Sequence, residues 1–461
     1  MLNFGQYTSL KYVHLGKNIQ VINNSFFARF RGMRNLVNVY NIPINIIDMG
    51  WTYDDCRNLT GNPICGNKVI DMTRTYANCK NLTGSPVCGP NVIDMTYTYA
   101  DCNKLTGSPV CGNKVTTMWG TYNGCWELTG APVCGPNVTN MDWTYCDCRN
   151  LTGSPVCGNN VTSMIWAYEG CRNLTGNPAC GSSVTTMLQT YSNCTNLTGN
   201  PICGNNVTNM VSTYKNCSNL IGSPVCGNKV TNMYSTYWNC QNLTGSPVCG
   251  LNVTNFGATY ENCTNITGNP VCGNKVIYMS YTYYNCRNLT GNPVCGNNVT
   301  NMRGTYFGCT NLTGSPVCGN NVTNMWGTYN GCWKLTGAPV CGPNVTNMCS
   351  AYENCTNLTG NPVCGNQVRD LDYAYSNCSN LNAGTSYFYS KNIAYACGCF
   401  YGKNNSRRYD IHLPANSQSW NTFIINSTRS IVGANITWTI DTNGCYYNTA
   451  YNIYLYPDTS M

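Results

Sequence analysis

Apolar and polar positions along the chain repeat with a fixed period of 23 residues. In the pattern NVTNM-x-x-T-Y-x-x-C-x-x-LTG-x-PVCG, an apolar anchor recurs fifteen times, from Met49 to Leu371, without an insertion or deletion. A tyrosine follows each anchor by four residues and a first cysteine by seven, and in fourteen units a second cysteine follows by sixteen. Such self-similarity predicts a solenoid, in which each unit buries its apolar face against the next unit. Positions within a coil are numbered below from the anchor, so that the tyrosine is at +4.

The spacing inside each unit predicts its local structure. The anchor, a Thr or Ala, the Tyr and the first Cys lie at i, i+3, i+4 and i+7, which is typical of the buried face of a short helix. The residue before the anchor is Asn, Asp, Ser or Thr in fourteen of the fifteen units, which fits a helix N-cap. The Gly and Pro residues that follow predict a short extended segment and the turns that reverse the chain.

The period divides the chain into three predicted regions. Residues 1–44 form an N-terminal cap and a first, divergent coil; residues 45–383 form the cysteine-laddered solenoid; residues 384–461 form a C-terminal β-domain. The divergent coil fills the anchor, Tyr, Cys, Leu and second-Cys slots with Phe26, Phe30, Met33, Leu36 and Ile42. The strand candidates of the β-domain are RRYDIHLP, WNTFIIN, ITWTIDT and AYNIYLYP.

The same period explains the composition. The chain has 34 Cys among 461 residues, and 29 of them belong to the two ladders. The cysteines outside the ladders are Cys146, Cys349, Cys397, Cys399 and Cys445. We expect the ladder cysteines to be small buried hydrophobic residues, while disulfides between or within coils stay an alternative. A zinc site is disfavoured because the ladder spacings are not those of zinc ligands and no His is near the CxC pairs.

Charge and targeting signals narrow the classes of protein. The net charge is +8, yet the first 44 residues and residues 384–461 hold +7 of it, so no basic stripe for nucleic acid follows the solenoid. The first residues lack the features of a signal peptide, and no apolar run is long enough for a membrane span. The sequence therefore predicts a protein that stays inside a cell or is released by lysis, as a virion component is.

Positions +1, +2, +5 and +8 vary between coils and are expected on the outer face of the predicted helix. They hold large aromatic residues, which mark contact surfaces when exposed. Recognition of a target is the prediction, and unconstrained drift is the alternative. The predicted binding residues are Trp51, Tyr97, Trp119, Trp126, Trp143, Trp166, Tyr234, Trp238, Tyr281, Trp326, Trp333 and Tyr373.

The segment NVTNMWGTYNGCWKLTG resembles the BspA-like leucine-rich repeats and related bacterial surface-protein repeats, in which V-T-N-M precedes an aromatic residue, Cys and Leu at the same offsets. The resemblance covers residues 9–382. It implies a leucine-rich-repeat-like solenoid with a short helix and a short strand per coil. It also implies a non-catalytic role in recognition or adhesion, and similar arrays occur in phage tail proteins. The second Cys ladder and the lack of an export signal and a wall anchor depart from the family.

Catalysis is not expected, because His14 and His412 lie in opposite terminal regions and no catalytic constellation can be proposed. No cofactor or metal is predicted. The first functional prediction is a phage virion protein, tail-associated or fibre-like, that recognises a host-surface receptor, either protein or glycan. The alternatives are a BspA-like adhesin on an extracellular cell surface and a structural virion sheath or decoration protein. Other virion or surface proteins are expected to attach through the N-terminal cap or the C-terminal domain, and homo-oligomers are expected. No nucleic-acid partner and no membrane span are expected.

Overall fold

A computed structural model describes residues 4–16, 19, 21–382, 384–424, 431–432, 438–440 and 444–461. The chain divides into two compact units, Met1–Val230 and Thr231–Met461, which are described one after the other.

The first unit begins with short elements and continues as stacked coils. Two 3₁₀ turns span Phe4–Gln6 and Ile22–Asn24, and strands β1 (Tyr12–His14) and β2 (Asn38–Tyr40) pair in parallel. From there, a parallel bridge at the residue before the anchor joins each coil to the next, from Ser25–Asp48 to Thr186–Asn209. A repeat solenoid is therefore confirmed for this unit, and it includes the divergent coil that starts near residue 25.

The predicted short helix is wrong, since tight turns occupy its place in the coils. Alternate N–H groups bond within the coil, as in Thr52 N–H to the Met49 carbonyl at 3.1 Å. The others donate to the next coil, as in Tyr53 N–H to the Thr75 carbonyl at 2.8 Å. A helix would need every N–H for its own i−4 carbonyl, whereas here half of them tie neighbouring coils together. The polar residues before the anchors accept backbone N–H groups as predicted, but they cap a turn and not a helix. For example, Asp71 Oδ1 accepts the Thr73 N–H at 2.7 Å.

The core of each coil is built from the anchor, the +3 residue, the tyrosine and the first cysteine. Neighbouring tyrosine rings stack nearly parallel, with centroids 5.6 Å apart for Tyr76 and Tyr99. The Tyr99 hydroxyl donates to the Val87 carbonyl twelve residues earlier at 2.7 Å, and the thiol of Cys79 donates to the Tyr53 carbonyl at 3.1 Å. These polar atoms of the coil core are thus bonded, as buried polar groups require.

The second unit has the same coil pattern, with bridges from Asn232–Asn255 to Asn347–Asp370. A further bridge joins Asp370 to Tyr395 after 25 residues, and the Tyr375 N–H donates to the Cys399 carbonyl at 3.0 Å. Phe400 stacks on Tyr375 with centroids 5.9 Å apart. Coil-to-coil bonding therefore extends past the predicted domain boundary at residue 383, and that boundary stays a prediction.

A five-stranded sheet ends the second unit, in the order β3-β4-β7-β6-β5. The strands are β3 (Gly384–Tyr387), β4 (Tyr409–Pro414), β5 (Thr439–Ile440), β6 (Tyr446–Asn448) and β7 (Ile453–Asp458). Strands β3, β4 and β7 pair in parallel, and β5 and β6 are antiparallel additions.

Strand β4 lies within the candidate RRYDIHLP, and all of β7 except Asp458 lies within AYNIYLYP. The candidate WNTFIIN is wrong for its described part, because helix α1 spans Gln418–Ile424. The Ser417 hydroxyl oxygen accepts the Trp420 N–H at 3.2 Å, which is N-cap chemistry that the β-rich composition concealed. In ITWTIDT only β5 is a described strand; residues 425–426, 436–437 and 441–442 lie outside the described residues.

Among the described residues, no helix is long and apolar enough to cross a membrane.

Candidate binding face of the turns

The turns place two residues of every coil in the left-handed backbone region. Position +6 has φ between 57° and 76° in all fifteen coils and holds only Asn, Asp or Gly, the residues that tolerate this conformation. Position +2 also has positive φ throughout, yet it holds bulky rings, for example Trp51 at 58° and Trp143 at 58°. A bulky residue in this region costs roughly 1–2 kcal/mol relative to glycine.

In the first unit, arginine and aromatic side chains alternate along neighbouring coils. The Arg31 guanidinium lies 4.3 Å from the Trp51 ring centroid, and the Arg74 guanidinium lies 4.5 Å from the same centroid. Arg74 is also 5.5 Å from the Tyr97 ring, whose centroid is 5.2 Å from that of Trp119. The structure therefore brings three predicted residues into one stack. We call this set, with its two arginines, the Arg–aromatic stack.

Carboxylates neutralise part of this stack and its neighbours. Asp54 is nearly buried and pairs with both Arg31 (3.1 Å) and Arg74 (3.4 Å). Burial alone would raise the pKa of Asp55, but hydrogen bonds from Arg57 and Arg34 hold it below its usual value. The arginines are thus oriented by ion pairs, which leaves their planar faces on the rings.

Two further predicted residues of the first unit form a separate pair. Trp143 and Trp166 stack with centroids 4.8 Å apart and planes within 2° of parallel. Trp126, at position +8, has the Arg149 guanidinium 4.9 Å from its centroid. The six predicted residues of this unit therefore occupy one mixed stack, one tryptophan pair and one separate position.

In the second unit the same chemistry recurs. Arg303 lies 5.6 Å from the Tyr281 ring and 4.6 Å from the Trp326 ring. The Tyr373 hydroxyl accepts a weak bond from the Cys397 thiol at 3.8 Å. The hydrogen bond and the electrostatic interaction with Cys397, together with slight burial, raise the pKa of Tyr373.

Exposure separates the twelve predicted residues into two groups. Seven of them are half-buried: Trp51, Tyr97, Trp143, Trp166, Trp238, Tyr281 and Trp326. The others are 41–52% exposed: Trp119, Trp126, Tyr234, Trp333 and Tyr373. Stacked rings cover one another's faces, so the exposed group offers more ring surface to a ligand.

Sequence reasoning missed several residues of this face. Tyr284 and Phe307 occupy position +5 and stack with centroids 4.8 Å apart, and Tyr284 packs edge-on to Tyr281. The variable +5 slot already contained this signal. The arginines were missed because a cation over a ring depends on the coil-to-coil register, which the period alone does not give.

The cysteines and histidines show no constellation of metal ligands: among the residues that the structure describes, no three His, Cys, Asp or Glu side chains are placed to hold a metal ion. His14 stacks on Tyr40 at 4.4 Å, and His412 stacks on Tyr456 at 4.9 Å. First-ladder thiols are fully buried, and this burial raises the pKa of Cys56 to about 12. Second-ladder thiols are half-buried in the first unit.

The second cysteine ladder explains why a glycine follows the second cysteine of a coil. A Cβ on Gly89 would lie 2.9 Å from the Cys65 sulfur and 2.9 Å from the Gly66 carbonyl oxygen. This Gly is therefore needed for the close approach of two neighbouring coils, and the same contact recurs at Gly112, Gly135 and Gly227. Free, half-buried thiols in van der Waals contact with backbone fit a packing role for this ladder.

No family model matches the sequence, and no curated protein matches it significantly. The solved structures that this chain is similar to include the following three. A leucine-rich repeat protein from Bacteroides ovatus ATCC 8483 is 14% identical, with 89% of each chain covered and a TM-score of 0.41. YopM from Yersinia enterocolitica WA-314 is 10% identical, with 81% of this chain and 70% of that chain covered and a TM-score of 0.30.

The third is a TLR13–ssRNA13 complex, 10% identical, with 90% of this chain and 70% of that chain covered and a TM-score of 0.20. The repeat solenoid itself is established by the coil-to-coil hydrogen bonds of this chain.

Proposed function

We propose that the protein is a non-enzymatic recognition protein of the BspA-like leucine-rich-repeat type, which uses the aromatic face of its turns to bind a host-surface receptor. We further propose that it is a tail-associated or fibre-like part of a phage virion. The N-terminal cap, where Tyr12 is 55% and Phe27 53% exposed, is the proposed surface for attachment to other virion proteins.

The observation that carries this proposal is the use of bulky rings at position +2. The backbone there is left-handed, and other coils fill the slot with Gly, Ser or Ala, such as Gly120, Ser212 and Ala258. The solenoid therefore folds without a ring at this slot, and a ring raises the conformational free energy. Rings that folding does not require, on the variable side of the turns, favour a contact with a partner, and the five most exposed of the predicted residues include Tyr373 at this slot.

A binding experiment tests the recognition function. The full-length protein is passed over immobilised bacterial surface polysaccharides and membrane-protein fractions, and its binding is compared with that of a five-site variant. The variant carries residues that other coils hold at the same slots: Trp119→Thr, Trp126→Thr, Tyr234→Thr, Trp333→Thr and Tyr373→Ser. We expect affinity to fall at least about tenfold, since exposed aromatic residues dominate such contacts.

The matched control is Thr139→Ser with Thr162→Ser, two exposed positions outside the aromatic face. The control should bind as the parent protein does, and both proteins should keep the parent's unfolding transition. Equal binding by the five-site variant would refute the aromatic face as the contact surface. Proteomics of purified virions tests the virion assignment separately, because absence of the protein from them contradicts that part alone.

A further inference from the structure

A second surface, away from the aromatic turns, differs between coils of the first unit. Position −2 holds Ile47, Ile70 and Ile93 in the first three cysteine-containing coils, and Ile70 and Ile93 are 41% and 43% exposed. The next five coils hold threonine there: Thr116, Thr139, Thr162, Thr185 and Thr208. The exposed isoleucines are therefore a local departure from the repeat.

The fold favours threonine at this position. The Thr139 hydroxyl donates to the Thr116 carbonyl at 3.1 Å, and the Thr162 hydroxyl donates to the Thr139 carbonyl at 3.1 Å. Isoleucine cannot make this coil-to-coil bond, and here it leaves apolar surface in water. Coil stacking does not account for the three isoleucines.

These isoleucines form the floor of a groove with a volume of about 250 Å³. Its other lining residues are Lys68, Asn91 and Lys114. The Lys114 ammonium donates to Asn91 Oδ1 at 2.7 Å, and Asn91 Nδ2 donates to the Asn67 carbonyl at 2.8 Å. The lining thus combines an apolar floor with two exposed cations and holds no acid. We call it the Lys–Ile groove.

Aspartates follow the isoleucines in sequence but are engaged by the turns. Asp71 Oδ1 accepts the Thr73 N–H at 2.7 Å, and Asp94 Oδ1 accepts the Thr96 N–H at 2.7 Å. Their carboxylates are held toward the turn backbone, so the ammonium groups of Lys68 and Lys114 set the charge of the groove lining.

We propose that the Lys–Ile groove binds a single-chain alkyl carboxylate, with its hydrocarbon along Ile47, Ile70 and Ile93 and its carboxylate on the Lys68 or Lys114 ammonium. An apolar floor beside cations is complementary to an anion that carries a hydrocarbon. One hydrocarbon chain fits this volume, which is smaller than the roughly 300–1,000 Å³ of pockets for drug-sized ligands. The proposal is independent of the aromatic face, since no groove residue lies at positions +1, +2, +5 or +8.

Titration of the full-length protein with sodium decanoate tests the proposal, read by NMR of isoleucine methyl groups. The first variant is Ile70→Thr with Ile93→Thr, and the second is Lys68→Asn with Lys114→Asn. These substitutions introduce residues that equivalent coils already hold, so the solenoid should be kept. The matched controls are Ile277→Thr and Lys229→Asn, which make the same changes at the same slots outside the groove.

Decanoate should shift the Ile70 and Ile93 methyl resonances, and each double variant should weaken binding about tenfold through lost apolar area or lost charge pairing. Butanoate should bind at least about tenfold more weakly because its chain is shorter. Decyltrimethylammonium should not compete, and the controls should bind decanoate as the parent does.

Equal binding of decanoate by the parent and both variants would overturn the proposal. Binding of decyltrimethylammonium by the parent as tightly as decanoate would also overturn it. Absence of any shift below the micelle concentration of decanoate would also overturn it. Sedimentation with phosphatidylglycerol vesicles is a further test. If the parent sediments with the vesicles, the groove variants do not, and decanoate does not bind, then the groove contacts a two-chain lipid surface and the single-chain ligand is rejected.

Discussion

The Tyr168 hydroxyl bonds both polar groups of one residue: it accepts the Val156 N–H at 3.1 Å and donates to the Val156 carbonyl at 2.7 Å. The tyrosine ring is fully buried, and rings on neighbouring coils stack 5.4 and 5.5 Å away. The same pair of bonds recurs between other tyrosines and the residue twelve positions earlier. Each of these tyrosines thus joins the turn segment of its own coil to the extended segment before it.

Replacing this hydroxyl should weaken one coil without removing its apolar core. Tyr168→Phe leaves the Val156 N–H and carbonyl without their bonds, so we expect a loss of about 2 kcal/mol in unfolding free energy. Hydrogen exchange at the Val156 amide should also be faster in this variant. Tyr284→Phe is the control, because that half-buried ring is on the turn face; a similar loss in both variants would contradict the role of the hydroxyl pair.

The sequence predicted the buried set of residues correctly, because the solenoid repeats the same burial in every coil. Met95, Tyr99 and Cys102 are all fully buried, as their spacing indicated. The spacing could not distinguish a helix from the observed turns, since both return the chain to the same face after three or four residues. The decisive signal was the restriction of position +6 to Asn, Asp and Gly, which a helix does not require.

Position +6 supplies a direct test of this turn geometry. Asn78 has φ 61°, so Asn78→Ala should destabilise the protein by about 1 kcal/mol relative to Asn78→Gly. Both variants lose the same side-chain amide, and their difference therefore isolates the backbone conformation. Chemical denaturation measures it. Alanine at least as stable as glycine would be incompatible with a left-handed residue in this turn.

The candidate face was only partly accessible to sequence reasoning. The variable slots located Trp51 and Trp143, but their contacts come from neighbouring coils. Position +2 of one coil meets position +2 or +1 of the next, as Tyr97 meets Trp119. Which rings are covered thus depends on neighbouring residues in the stack, and no single repeat contains that information.

Lys403 predicts a specific dependence of stability on pH. Its Nζ is buried, lies 4.8 Å from the Tyr409 ring centroid and has no hydrogen-bond partner among the described residues. Burial lowers the pKa of Lys403 to about 8, from 10.5. Because the unfolded chain binds this proton more tightly, the charged lysine disfavours folding below pH 8, and this penalty declines from pH 8 to 10.5.

Lys403→Met should therefore stabilise the protein at pH 7 by about 1 kcal/mol, and the gain should shrink as the pH rises above 8. Thermal unfolding of both proteins across this range measures the difference, in which other titrating groups cancel. Lys391→Met is the control at an exposed lysine and should change stability little. If the gain in stability does not change with pH up to 10.5, it arises from apolar packing alone.

The two cysteine ladders should differ in their reactivity with alkylating reagents. Thiolates are the reactive species, and burial raises the pKa of Cys65 to about 11 and that of Cys56 to about 12. In the folded protein, the half-buried second-ladder thiols should therefore react slowly. Below their pKa, their alkylation rate should rise about tenfold for each unit of increase in pH, while first-ladder thiols stay protected. Peptide mass spectrometry after iodoacetamide treatment at pH 8 and 10 distinguishes the ladders.

Alkylation in denaturant without reductant completes this test. Every described cysteine has a free thiol in the structure, and a chain without disulfides should take up 34 alkyl groups. Disulfides between neighbouring coils would instead leave cysteines unmodified in pairs 23 residues apart. Such pairs would show that the second ladder stiffens the solenoid by covalent links, whereas complete alkylation assigns its stability to packing and to the hydrogen bonds between coils.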